Sequence, residues 1–323
     1  MRTLITVAAL SILAGSSPAP AQPRTADPIK RGFQLLDFPR FVKLANNVYG
    51  YEEIRQPGFT TVSLVVIGDS GVLIADGQGS PQATQTLLDR LKILTPLPVK
   101  WYVVGSDHGD HTAGNSVLPK DITYVVHPTS LGQLQRDSAA AVTQAASRTG
   151  AAAPRVVVVP RTAMSSDKEV IDVGGITVHA LFLGRAHTGG DLMVHLPRER
   201  ILFMSEAFLN RVFPAMRSAY PSEWVRMIDR ALDMRAARFV PGHGFIEEPA
   251  ASRDELLAFK GALQYVIAEA RRLHALGLSA DDAVKQAKWG TYGDWFLREQ
   301  QAPIAVRKVY EEIEGRLPLL PRP

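Results

Sequence analysis

Apolar and polar positions recur with two different periods along the chain, and the change of period marks its organisation. Residues 62–67 and 72–75 are β-branched runs around Gly68-Asp69-Ser70-Gly71, a spacing that predicts two strands joined by a hairpin. Ser80 before Pro81 predicts an N-cap and first helical position, with the helix running to about Ile93. Short apolar runs at 99–104, 122–126, 156–159, 176–183, 192–196 and 201–204 predict further strands. Residues 222–234 predict a helix, followed by a strand at 238–240. The Ala- and Ser-rich stretch 138–153 reads either as helix or as exposed loop.

From Ser252 the pattern is helical only. Ser252 with Glu255 has capping-box spacing, and Leu256, Phe259, Leu263, Val266, Ile267 and Leu273 recur at helical intervals until Gly277. Ser279 with Asp282 opens a second helix, and Pro303 in a first turn opens a third that reaches Arg316. The expected organisation is a mixed strand–helix body over 22–250 and a C-terminal helical extension over 251–323.

Composition changes this picture at two points. Arg2, an apolar stretch at 4–15 and Ala19-Pro20-Ala21 predict a signal peptide over 1–21, because the apolar stretch falls short of the roughly 20 residues a bilayer span needs. The mature chain is then expected in the periplasm or secreted, with no membrane contact after cleavage. The chain has no cysteine, which removes disulfides, a thiolate nucleophile and Cys metal ligands together. The net charge of +4 is spread without a basic run or an aromatic-interleaved stripe, so a nucleic acid is not an expected partner and a small molecule is.

Four separated segments each place His or acidic residues at the end of a predicted strand, among small residues. They are Gly105-Ser106-Asp107-His108-Gly109-Asp110-His111, then Gly184-Arg185-Ala186-His187-Thr188-Gly189-Gly190-Asp191, then Met204-Ser205-Glu206, and Pro241-Gly242-His243-Gly244. Imidazole and carboxylate without thiolate suit a borderline ion such as Zn²⁺. His127, His179, His195 and His274 lack such company and read as structural.

The order and spacing of these segments resemble the metallo-β-lactamase superfamily: its His-x-His-x-Asp-His loop, its His before Thr-x-Gly-Asp, its bridging acid after an apolar strand, and its final Gly-His. The resemblance runs from Val48 to Gly244. It implies an αββα sandwich with the site at one edge, where loops of the two sheets meet, and one or two Zn²⁺ per chain. It further implies that His108 and His187 hold a first ion, that Asp110, His111 and His243 hold a second, and that Glu206 stands where the family usually has a bridging Asp. Asp110 would also orient a metal-bound hydroxide, and Asp191 would fix a ligand imidazole.

Two departures stand out. Ser106 occupies the place of the first His, and Glu206 is one methylene longer than Asp. They predict a stronger second site and a weaker or water-completed first one, with Asp107 pointing away from the gap. Tyr220, Trp224 and Arg211 read equally as pocket lining or as packing aromatics and a surface cation, and loop 209–221 is expected to carry specificity. The implied activity is hydrolysis of a small ester, lactone, thioester or amide by zinc-activated water, a β-lactam among them. The absence of cysteine argues against subclasses with a Cys ligand, and export against a cytosolic glyoxalase-type thioesterase. A non-catalytic or degenerate metal-binding protein of the same fold is the alternative, and a nuclease is disfavoured by the missing basic clamp.

Overall fold

The computed structural model describes residues 23–55, 58–147 and 156–318. The signal-peptide segment and residues 148–153 of the Ala/Ser-rich stretch lie outside them. No helix among the described residues is long and apolar enough to cross a membrane.

Two sheets face each other. The first runs in the order β1 (Arg40–Ala45), β2 (Val48–Arg55), β3 (Phe59–Gly68), β4 (Gly71–Ala75), β5 (Val99–Val103), β6 (Thr123–Val125). The second pairs β7 (Lys168–Asp172), β8 (Thr177–Leu181), β9 (Met193–Leu196), β10 (Ile201–Phe203) and β11 (Arg238–Val240) in sequence order. The helices are α1 (Pro81–Leu94), α2 (Gly109–Thr112), α3 (Pro128–Ser147), α4 (Pro221–Asp233), α5 (Pro249–Ala275), α6 (Ala280–Gln286) and α7 (Arg298–Ile313).

Strand alternation sorts side chains between layers. Leu64 and Val66 of β3 enter the core between the sheets with Val194, Ile201 and Phe203, whereas Val65 and Ile67 pack outward against Leu87 and Leu91 of α1. With both faces covered, all ten positions of β3 are buried. Leu202 and Phe239 face outward to Trp224 and Ile228 of α4 and to the Leu256, Phe259, Leu263 and Val266 stripe of α5. Helices on sheet 1, two sheets, and helices on sheet 2 make the expected αββα sandwich. The Val306 and Val309 side chains of α7 join that last core continuously.

Ser80 caps α1 as expected, accepting a hydrogen bond from Ala83 N at 3.1 Å, and Ser279 does the same for α6 from Asp282 N. Three readings are corrected. Residues 156–159 form no strand: the carbonyl of Val126, just past β6, accepts from Met164 N, and the valine run is left without a ladder partner. The helix expected from Ser252 begins at Pro249, and Ser252 Oγ instead accepts from Phe239 N at 3.2 Å. The helix expected from Pro303 begins at Arg298, with Pro303 inside it and Leu297 before it at φ +61°. The edge strands β1 and β7 and the Glu-rich β2 carry no clear alternation and were not read from the sequence.

Strands β4 and β5 are parallel, as are β10 and β11. Their C-terminal ends lie at one edge of the sandwich, where a parallel layout leaves a crevice for chemistry.

Candidate metal centre

The loop after β5 carries Ser106 and His108 and leads into α2 with Asp110 and His111; β10 runs into Glu206 and β11 into His243. Gly105 and Gly242 make this convergence possible. A Cβ on Gly105 would sit 2.7 Å from Ser205 Cβ, and one on Gly242 2.4 Å from the Ser205 carbonyl carbon. Asp76, at the end of β4, and Ser205 both hold left-handed backbone (φ +59° and +50°), and the Ser205 hydroxyl donates to Asp76 Oδ2. Strained non-glycine backbone concentrates at working sites.

Glu206 is the centre of the arrangement. Its Oε1 lies 3.2 Å from both His187 Nε2 and His243 Nε2, and its Oε2 lies 2.9 Å from His108 Nδ1. On one side His108 Nδ1 and His187 Nε2 are 3.0 Å apart. On the other, His111 Nε2 and His243 Nε2 are 3.3 Å apart, and Asp110 Oδ2 is 3.0 Å from the latter. Two donor groups result, Asp110–His111–Glu206–His243 and His108–His187–Glu206, each with its ligand atoms within 4.8 Å of one another. A tetrahedral ion at about 2.0–2.1 Å spaces its ligands by roughly 3.3 Å.

Hydrogen bonding behind the rings tests whether these residues fit an ion. His243 Nδ1 faces the Thr60 carbonyl at 2.8 Å, and His111 Nδ1 faces Asp76 Oδ2 at 3.0 Å. The Thr60 carbonyl can only accept, so His243 Nδ1 carries the proton and its Nε2 turns a lone pair inward; at His111 the Asp76 carboxylate favours the same tautomer by its charge, without a hydrogen bond. Two lone pairs and two carboxylates meeting in a buried space fit a cation.

Without an ion, protons supply the positive charge. Burial opposes the charged form of His108, but the Glu206 carboxylate outweighs it and lifts the ring to about 9. Burial is likewise overcome at His111, where Asp76 and Glu206 lift the ring to about 9. Glu206 is buried as well, yet the His187, His108 and His111 rings hold its carboxyl well below the usual range.

All six residues expected to hold metal therefore meet at one place. Ser106 is fully buried and donates from Oγ to Glu206 Oε2 at 2.6 Å. Asp107 belongs to neither donor group, and burial pushes its carboxyl up to about 6. Asp191 departs from its expected role: both its oxygens accept from Thr188, from N at 2.7 Å and from Oγ1 at 2.6 Å. The His187 Nδ1 has no hydrogen-bond partner among the described residues. Its ring is held by the edge of Trp224, 5.3 Å between centroids. Trp224 is thus a packing residue whose Nε1 donates to the Ala207 carbonyl. Tyr220 lies under the Arg185 guanidinium, and Arg211 pairs with Glu255; neither lines the cavity. His127 stacks on Phe182, His179 pairs with His195 across strands, and His274 meets Tyr310, all structural as read.

The donor groups floor a cavity of about 330 Å³. Leu209, Val212 and Ala215 from loop 209–221 form one apolar wall with Phe59, and Leu297 and Ile304 of the α7 region form another. Arg217, Gln300 and Gln301 add polar groups at its lining. Three contributors went unread in the sequence. Asp76 follows a buried strand and precedes a glycine, the same grammar as His243, and could have been found by it. Arg55 and α7 reach the site through tertiary packing and leave no local signal.

A metallo-β-lactamase from Pontibacter korlensis superposes with a TM-score of 0.55 at 21% identity, over 70% of this chain and 98% of that one. The sec-alkylsulfatase Pisa1 from Pseudomonas sp. superposes with a TM-score of 0.70 at 15% identity, over 91% of this chain and 54% of that one. The chain has the metallo-β-lactamase fold. Among curated proteins, the 2,4-dinitroanisole O-demethylase subunit alpha of Nocardioides sp. (strain JS1661) is 23% identical over 184 residues, 56% of this chain and 52% of that protein. The match thus spans about half the length of that relative. No protein-family model matches the sequence.

Proposed function

We propose that this metallo-β-lactamase-fold chain is a metal-dependent hydrolase of a small ester, lactone, thioester or amide, a β-lactam among them. The observation that carries the reading is the His111 and His243 Nε2 atoms, 3.3 Å apart beside Asp110 and joined to the other donor group through Glu206. His108, His187 and Glu206 would hold one Zn²⁺, and Asp110, His111, His243 and Glu206 the other. Bound zinc supplies a Lewis acid and brings the pKa of water to about 7. Ser106 is committed to Glu206, so no side-chain nucleophile is needed or offered there. Asp110 would orient the attacking water, beside the apolar walls of Phe59, Leu209 and Val212.

The likeness to an alkylsulfatase adds sulfate esters to the substrates worth testing, and Arg217 at the lining suits an anionic group. A panel of carboxylic, thio- and sulfate esters, lactones and β-lactams, run beside metal analysis, tests the reading. Turnover that chelation abolishes and zinc restores, and that His243→Ala removes, supports it. Stoichiometric metal without turnover on any member favours a metal-binding protein that does not catalyse, a reading supported by the hydrogen bond that occupies Ser106 and the cation on Asp110. Export belongs to the same proposal. Mass spectrometry of the mature chain should find its first residue at Gln22, and retention of Met1 would refute cleavage.

A further inference from the structure

Arg55 closes β2, and its Nη1 pairs with Asp110 Oδ2. That oxygen is the one that faces His243 Nε2 at 3.0 Å and His111 Nε2 at 3.9 Å. The guanidinium carbon sits 5.3 Å from the centre of the Phe59 ring, which supports it from the apolar wall. Among the described residues Asp110 is its sole ion-pair partner, although the side chain is 36% exposed and could reach solvent. Arg55 thus stands on the one carboxylate that belongs to the second donor group alone, since Glu206 is shared by both.

We propose that Arg55 is a positioning residue that competes with the metal for Asp110 and so sets the affinity of the second donor group. The inference rests on the reading of these groups as metal sites. A guanidinium on Oδ2 draws charge from the lone pairs an ion would use. It also brings a fixed positive charge next to a dication, where little water intervenes to screen it. Among the described residues no hydrogen bond, ion pair or ring contact joins Arg55 to His108 or His187, so the first donor group is spared. Ligand counting in the sequence favours the second site because Ser106 has replaced a first-site His. Arg55 works in the opposite direction and draws the two affinities together.

Zinc titration of the metal-stripped full chain by calorimetry, with metal content by mass spectrometry, tests this in Arg55→Gln and Arg55→Lys. Arg55→Gln is expected to tighten one ion by roughly 10-fold or more, the scale on which partners of metal ligands act. Arg55→Lys retains the charge and should stay near the unaltered protein. The tightening should persist in a His187→Ala background, which disables the first group, and vanish in His243→Ala, which disables the second. Circular dichroism confirms that each variant is folded. Two ions with constants indifferent to Arg55→Gln, or a looser second ion, overturn the inference and leave the metal reading intact. No zinc uptake by any variant overturns both.

Discussion

Ser106 Oγ donates a 2.6 Å hydrogen bond to Glu206 Oε2, the oxygen that also stands 2.9 Å from His108 Nδ1. The residue that replaces an expected imidazole is therefore engaged with the shared acid. A hydroxyl whose proton is committed to a carboxylate is a poor metal ligand, and the acid it binds has less charge to give the first ion. Ser106→His should raise the affinity of the first site by roughly 10-fold or more and move zinc content toward two per chain. Ser106→Ala loses the bond to Glu206 and the longer one that Oγ accepts from His108 N, at a cost of about 1–3 kcal/mol, and supplies no ligand. Titrations in which the His and Ala variants bind the first ion alike would remove the argument.

Protonation offers a second test. In the metal-free protein His108 and His111 titrate near 9, above the ordinary value of about 6.5 for an unfolded His. Their folded pKa is raised, so the stability they contribute is fully present below about pH 6.5 and is lost as pH rises through 9. The melting temperature of stripped protein should accordingly fall between pH 7 and 9. Zinc-loaded protein should not follow it, because the ion takes over the role of the protons. Zinc binding at pH 7 should release protons, seen as a calorimetric enthalpy that varies with the ionisation heat of the buffer. A flat melting profile for the stripped protein, with no proton release, would contradict the charge balance described for this site.

Much of this was legible in the sequence, and the reasons differ by element. Strands β3, β4 and β10 were readable because burial on both faces or clean hairpin grammar leaves an apolar run between turn residues. Strands β1 and β7 were not, since Arg40–Ala45 and Lys168–Asp172 are only partly buried and carry polar residues on both faces. The candidate ligands were legible because each follows a strand end among small residues, where local sequence and tertiary position coincide. Asp191 misled because spacing from His187 cannot say which way a carboxylate turns; it closes its own turn onto Thr188. The cavity wall from α7 is a product of chain path alone.

Ser252 and Glu255 show how a local signature can be spent on a distant contact. Glu255 caps no helix. It is buried inside α5 and receives Arg211 and, at 2.9 Å, Arg24. The pair fastens the N-terminal lead-in and the loop after Leu209 to the helix behind the cavity. Removing Glu255 breaks its hydrogen bonds to two guanidinium groups and leaves the part-buried Arg211 without its ion-pair partner, which costs on the order of 1–3 kcal/mol. Glu255→Ala should therefore lower the unfolding free energy by that order in urea, with an Arg24→Ala change costing far less because that side chain is half exposed. Equal losses from the two substitutions would show that the interior position of Glu255 is not what matters.

Asp76 joins the folding of the edge to the chemistry of the site. Its Oδ1 accepts from Gly105 N at 2.7 Å and Ser106 N at 3.2 Å, which sets the course of the ligand loop, while Oδ2 faces His111 Nδ1. Asp76→Asn keeps the shape and one carbonyl acceptor but removes the charge. The loop should keep its path if the amide oxygen takes the Oδ1 position, and the amide nitrogen then confronts His111 Nδ1 with a donor. That arrangement favours the tautomer with its proton on Nε2, the nitrogen meant for the ion. Zinc affinity at the second donor group should fall by roughly 10- to 100-fold. His111 should also lose the partner that raises it toward 9, so the decline of metal-free stability between pH 7 and 9 should become shallower. Titration and the melting profile read these two effects separately. A variant that keeps full zinc affinity while its pH profile flattens would show that Asp76 sets the charge of His111 but not its tautomer, and the positioning argument would fail.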